Sequence, residues 1–228
     1  MENEQYQRTV GLIGEDNFHT IQSKRIAIVG LGGVGGTALE TLARSGFQHF
    51  LLVDDDVVNS SNMNRQIIYT TSRQGEDKVS VAKDRVLSIN SEADISIINL
   101  RITSENCHVF DEFKIDFIVD AIDDVPAKVA LSKYALSKNI PLIVSLGMAN
   151  RLDPSKVIIT RLDKTTMDPL AKKYRYELRK AGFETNQIMA AMSKEMPVKD
   201  GAHLNSMMMV PSAAGLNIAY YVLSYFLK

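Results

Sequence analysis

The run Gly30-Leu31-Gly32-Gly33-Val34-Gly35 constrains this chain more than any other feature, because of what flanks it. An apolar stretch over 25–29 (RIAIV) precedes it. The residues over 34–45 follow, with Leu39, Leu42 and Ala43 at helical spacing. A buried parallel strand that runs into glycines and then into a helix is the G-x-G-x-x-G arrangement. Backbone amides there approach phosphate oxygens because no side chain intervenes, and the helix N-terminus adds positive potential. The pattern is completed by an acid about 20 residues on, at the end of the next strand. Asp54, which closes the strand predicted over 50–53, takes that place and suits ribose hydroxyls. So far the pattern says nucleotide and no more, since nicotinamide and flavin enzymes share it.

Strands predicted over 25–29, 50–53, 95–98, 117–119 and 142–146 alternate with helices over 34–45, 77–89 and 126–137. This order predicts an α/β fold, a Rossmann-like, mostly parallel sheet with helices on both faces. After Gly147 a further strand is expected over 157–160. A helix then runs from Asp168-Pro169 to Lys180, with Asp as cap, Pro in the first turn and Gly182 as stop. Periodicity is weak over 183–205, and part of that stretch is expected to be a mobile loop. Residues 206–227 carry no charge and are about long enough to span a bilayer. Pro211, Gly215 and Asn217 interrupt them, however, so a packed C-terminal helix starting near Pro211 is expected instead. The whole chain, 1–228, reads as one domain. It has an N-terminal helical arm (1–24), a nucleotide-binding core (25–147) and a C-terminal helical elaboration (148–228).

With 45% hydrophobic and 23% charged residues, disorder is excluded. Lys and Arg total 26 against 27 Asp and Glu, a net charge of -1, so any contact with nucleic acid must come from a local basic patch. Cys107 is the only cysteine, which rules out an internal disulfide and any cysteine-built zinc site. A cytoplasmic setting fits that usage, and the polar, acidic N-terminus does not read as a signal peptide.

The residues after the acidic strand end separate a triphosphate from a redox cofactor. Asn62, Arg65 and Gln66 lie in DDDVVNSSNMNRQ, Lys78 follows, and Asp123 stands in VDAIDD past the fourth strand. Cations beside a phosphate site and a carboxylate able to hold Mg²⁺ suit ATP and would be unnecessary for hydride transfer. Taken singly, Arg65 and Lys78 also fit a solvated surface pair, and Asp123 also fits a helix cap before Pro126.

GLGGVGG, DDDVVNSSNMNRQ, Lys78 and DAIDD together resemble the adenylating domain of the ubiquitin-activating, ThiF and MoeB superfamily. The resemblance implies that a substrate carboxylate attacks the α-phosphate of ATP and releases pyrophosphate. It implies an ATP-binding set of Gly30, Gly32, Gly33, Gly35, Asp54, Asp56, Asn62, Arg65 and Lys78, with Arg65, Lys78 and Asp123 acting in catalysis and Asp123 on Mg²⁺. QYQRT resembles the segment that carries an arginine finger, which would place Arg8 in an ATP site, usually the partner subunit's, and implies a homodimer. A narrower match, carried by RTVGLIGEDN, GMANRLDPSKV, DKTTMDPLAKKYRYELRK and VPSAAG, is similar to the tRNA threonylcarbamoyladenosine dehydratase branch, the TcdA or CsdL type. That branch implies ATP-dependent cyclisation of a threonylcarbamoyl group on a tRNA adenosine beside the anticodon. An adenylyltransferase acting on the C-terminal Gly-Gly of a ubiquitin-like sulfur carrier is the alternative, although many such relatives hold Zn²⁺ with two CxxC pairs that this chain lacks. Some members of the dehydratase branch carry a cysteine ahead of a Ser-x-Glu segment. Here the region reads MAAMSKEMP with Ala190 aligned, which argues against a thioester.

One basic stripe stands out. Lys172, Arg175 and Arg179 fall at i, i+3 and i+7 of the predicted helix, flanked by Lys173 and Lys180, and are the candidates for tRNA phosphates. A solvated amphipathic face gives the same pattern. Arg151, Lys156, Arg161 and Lys164, nearby in sequence, are expected to strengthen the patch.

Overall fold

The computed structural model describes residues 4–198 and 204–227. Two short helices, α1 (Gln7–Ile13) and α2 (Glu15–Gln22), precede β1 (Arg25–Val29) and α3 (Gly33–Ser45). The chain continues through β2 (His49–Val53), α4 (Lys78–Ile89), β3 (Asp94–Ile98), β4 (Phe117–Asp120), α5 (Val125–Ser137) and β5 (Leu142–Ser145). It ends with β6 (Val157–Arg161), α6 (Pro169–Lys180), β7 (Met189–Ser193) and α7 (Met209–Phe226).

The strands form one sheet in the order β3-β2-β1-β4-β5-β7-β6, parallel throughout except where β6 runs antiparallel to β7. Side chains alternate between the faces of a strand, so β1 serves both halves of the core. Ile26 and Ile28 pack with α3, α4 and α7, through residues such as Leu39, Val86, Ile218 and Val222. Ala27 and Val29 pack with α5 and α6, through Leu131, Ala135, Tyr174 and Leu178. Strand order reverses between β1 and β4, which opens a crevice at the carboxyl ends of the strands, where ligands of such sheets bind.

The region after 148 is not only helical. β7 arises inside the stretch expected to be a mobile loop, and it lies between β5 and β6 with Ala190, Ala191 and Met192 buried. Its MAAMS sequence has no alternation because both faces are covered, as usual for an inner strand. Ala190 pairs with Val144 and Thr160 and is fully buried, so the residue aligned with the family cysteine faces the interior here. Part of the expected loop, 199–203, lies outside the described residues. α7 starts two residues before Pro211 and packs tightly on α3. A Cβ on Gly215 would meet the Val34 carbonyl oxygen at 2.6 Å. Among the described residues no helix is long and apolar enough to cross a membrane.

Candidate nucleotide site and basic face

The glycines between β1 and α3 do two different jobs. Gly30 has φ +89°, a conformation that favours glycine, and a Cβ there would sit 2.6 Å from the Ala121 carbonyl oxygen. Gly33 and Gly35 are likewise packed against backbone, Gly33 with the Arg65 carbonyl oxygen 2.9 Å from its Cβ position. Gly32 differs. Its nearest neighbour would be the Gln66 Nε2 at 3.9 Å, so the space beside it is open to a ligand. Gly32 also caps α3 without a side-chain hydrogen bond, which leaves the first amides of the helix facing that space.

The loop is held from both sides. The Tyr69 hydroxyl donates to the Leu31 carbonyl at 2.9 Å, and the Leu31 amide donates to Asp54 Oδ2 at 2.6 Å. Tyr69 is buried, which together with the nearby Asp54 and Asp56 pushes its phenol up. Asp54 Oδ1 accepts from the Asp56 amide at 2.9 Å. Burial raises the Asp54 carboxyl, opposed by its two amide bonds and by Lys78.

Lys78 opens α4 and is buried, with its Nζ 2.6 Å from Asp56 Oδ2. Arg65 Nη1 donates to the Ser61 carbonyl at 2.7 Å and to Asn64 Oδ1 at 2.9 Å, which fixes the guanidinium beside the glycine loop. Asn62 is buried and accepts from the Asn59 amide at 3.0 Å. Gln66 is buried, and its Oε1 has no hydrogen-bond partner among the described residues.

On the β4 side, Asp120 is fully buried against Lys128 at 2.8 Å and accepts from the Ile122 amide at 3.0 Å. This shapes the turn that carries Asp123. The helix cap before Pro126 is Asp124, which accepts from the Ala127 amide at 3.0 Å. Asp123 itself is exposed and takes no hydrogen bond or ion pair among the described residues. The carboxylates of Asp54, Asp55 and Asp56 also lie close together. Glycine loop, Asp54, Lys78, Arg65 and Asp123 thus all belong to loops or helix starts at one edge of the sheet.

Arg8 does not. Gln5 Nε2 donates to the Ile89 carbonyl at 2.7 Å and the Tyr6 hydroxyl to the Ala43 carbonyl at 3.2 Å, at the C-terminal ends of α4 and α3. Exposed Arg8 follows them, two residues beyond Tyr6, whose contact at Ala43 lies about 15 Å along α3 from the glycine loop.

α6 leaves the same edge as the glycine loop. Asp168 caps it, accepting from the Ala171 amide at 2.9 Å, and also accepts from the Gly147 amide after β5 at 2.9 Å. Its inner face, Ala171, Tyr174 and Leu178, is buried against α5, where the Tyr174 and Ser132 hydroxyls meet. Lys172, Lys173, Arg179 and Lys180 are exposed and Arg175 is half-buried. Of Arg151, Lys156, Arg161 and Lys164, expected to strengthen this patch, only exposed Lys164 makes no ion pair among the described residues. Arg151 is buried and ion-paired to Asp168, Lys156 pairs with Asp153, and Arg161 pairs with Asp163. Cys107 is buried in a short turn, donates to the Thr103 carbonyl at 3.2 Å, and has its thiol pushed up by burial.

Tyr69 and the second bond of Asp168 were not legible as site elements, since each depends on a partner distant in sequence. The chemistry of Gln66 was signalled only by its place beside Arg65.

The chain is similar to known proteins along nearly its whole length. The model of the ThiF family matches residues 5–173. A tRNA threonylcarbamoyladenosine dehydratase of Bacillus subtilis is 35% identical over 98% of this chain and 95% of its own length. Crystal structures of the Escherichia coli tRNA N6-threonylcarbamoyladenosine dehydratase TcdA superpose with a TM-score of 0.93 at 30% identity. One complex holds ATP and covers 98% of this chain and 93% of that one; another holds AMP and covers 98% and 94%.

Proposed function

The chain belongs to the ThiF family, in its tRNA threonylcarbamoyladenosine dehydratase branch, and from that premise we propose that it uses ATP to dehydrate threonylcarbamoyladenosine in tRNA through an acyl adenylate. The observation that carries this reading is the open side of Gly32. It is the one glycine of the loop free of protein packing, and it lies beside uncapped helix amides and the Gln66 side chain, with Arg65 packed on the adjoining Gly33 and Lys78 acting on Asp54, which holds Leu31. A phosphate fits there with no side chain displaced.

In this reading Asp54 holds the ribose, and the α3 amides, Asn62, Arg65, Lys78 and the Gln66 amide surround the phosphates. The carboxylate of the threonylcarbamoyl group attacks the α-phosphorus and displaces pyrophosphate. Arg65 and Lys78 take up the charge that develops on the phosphoryl oxygens. A nitrogen of the same substituent then attacks the activated carbonyl and loses its proton, and AMP departs with the former carboxylate oxygen. The net change is loss of water and closure of a ring. Because nucleophile and electrophile share one substituent, positioning supplies much of the rate, and no protein nucleophile is needed. Buried Cys107 and interior Ala190 accord with that. Asp123, a carboxylate with no other partner at this edge, fits as the residue that would hold Mg²⁺. When bound, the ion would neutralise phosphate charge on ATP. Exposed Arg8, held at the far end of α3, supports a homodimer in which it completes the partner's site, and the unpaired cations of α6 support contact with tRNA phosphates. A cytoplasmic setting goes with that substrate.

Mass analysis of nucleosides tests the reading. Threonylcarbamoyl-tRNA incubated with the protein, ATP and Mg²⁺ should lose one water per modified base and release AMP and pyrophosphate. Unchanged tRNA, together with adenylation of a Gly-Gly carrier protein, would replace it with the sulfur-carrier reading.

A further inference from the structure

The outer face of α6 is more than a stripe of charge. Lys172, Arg175, Tyr176, Arg179 and Lys180 fall at i, i+3, i+4, i+7 and i+8 and line an open hollow of about 560 Å³. Tyr176 stands among the four cations with 63% of its surface exposed. The two arginines are oriented rather than free. Arg175 donates to the buried Thr165 hydroxyl, and Arg179 donates to the buried Thr185 hydroxyl at 3.5 Å.

These cations also lack the partners that others have. Arg25, Arg44, Arg73, Arg85 and Arg161 each pair with a carboxylate. None of the α6 cations lies within ion-pair distance of one among the described residues. An aromatic ring ringed by unpaired, pre-oriented cations is the chemistry of single-stranded nucleic-acid binding, in which a base stacks on the ring and the flanking phosphates take the cations. A paired duplex has no free base face to offer. The helix is moored to the site edge through Asp168 and the Gly147 amide, and β5 stands only two strands from β1, about 10 Å.

We propose that this hollow is a docking site for an unpaired stretch of RNA, in which Tyr176 stacks a base and Lys172, Arg175, Arg179 and Lys180 hold the adjoining phosphates. The proposal rests on the tRNA reading above and adds to it. The docked base is a neighbour of the adenosine under modification, so tRNA is selected by an open loop and not by its helical stems.

The test is direct binding, measured without ATP across a salt series. The probes are tRNA, an unpaired oligoribonucleotide and a fully paired RNA of equal length. Tyr176→Ala should weaken tRNA and unpaired RNA by about tenfold with the salt slope unchanged, and Tyr176→Phe should restore binding because the ring is kept. Lys172→Ala or Arg179→Ala should instead lower the salt slope by about 1. Paired RNA should bind more weakly than unpaired RNA and be indifferent to Tyr176. Parent-like affinity in Tyr176→Ala, or equal binding of paired and unpaired RNA, overturns the proposal. Because no turnover is needed, the two readings fail separately. Water loss from tRNA with a Tyr176→Ala protein whose tRNA KM is unchanged would sink the docking site and leave the reaction standing. Tyr176-dependent binding without water loss would do the reverse.

Discussion

Gly32 and Gly35 differ by three positions and should fail in different ways. A methyl group at Gly35 would run into the Gly30 carbonyl, so Gly35→Ala should not fold properly. Gly32→Ala has room within the protein and a compatible backbone, so it should fold with a near-parental Tm yet bind ATP weakly, because the methyl occupies the phosphate's place. Calorimetry with ATP beside thermal melts separates the two. Parent-like ATP affinity in Gly32→Ala would show that the phosphates lie elsewhere. Lys78→Ala and Asp123→Ala should each slow pyrophosphate release by a factor of about 10²–10³, the usual cost of one preorganised charge. Parent-like rates in both would remove their assigned roles. Cys107→Ser should keep most activity, since the thiol is buried and the route uses no thioester; complete loss in a folded protein would bring a covalent step back. At this scale the sequence made the glycine loop and Asp54 legible, because strand, loop, helix and acid are neighbours along the chain. It left Asp123 ambiguous as a cap. Only the fold assigns the cap to Asp124, which frees Asp123.

Among the elements, α3 and α4 are joined by Glu40, which is buried and bonded to Arg85 at 2.7 and 2.8 Å and to Arg44 at 2.7 Å. Burial pushes this carboxyl up, but the two guanidiniums outweigh it and hold it below the ordinary range. A depressed carboxyl contributes stability above its unfolded pKa of about 4.3 and loses it as pH falls through the lower folded value. Glu40→Gln should therefore cost about 1–3 kcal/mol at neutral pH. The gap from the parent should close below about pH 4. Denaturant titrations at both pH values check this, and a gap constant with pH would contradict it. Elements whose pattern is local were legible. α6 was bounded by its Asp-Pro start and Gly182, and the alternating core strands by apolar runs. β7 was not, because an inner strand covered on both faces shows no period, and the surrounding polar residues made 183–205 look like loop. The extent of the basic patch was overestimated for a different reason, the pairing of its outlying arginines. Sequence proximity of Arg151 and Arg161 says nothing about Asp168 and Asp163, which neutralise them.

For the whole molecule, the arm that precedes Arg8 is anchored at the end of α3 away from the glycine loop, so under the proposed homodimer Arg8 would complete the partner's site. Mixing Arg8→Ala with Lys78→Ala protein should restore part of the activity, since each mixed dimer would hold one intact composite site. No recovery after verified subunit exchange would confine Arg8 to its own chain or to no role. The central claim is the acyl adenylate on the substrate's own carboxylate, and oxygen tracing tests it most directly. The threonylcarbamoyl carboxylate of the tRNA is labelled with heavy oxygen, one turnover is run with ATP, and the released nucleotide is weighed. Attack on the α-phosphorus followed by ring closure carries one labelled oxygen into AMP, with unlabelled pyrophosphate as the other product. Label recovered in inorganic phosphate beside ADP, or AMP formed without label, would contradict the account.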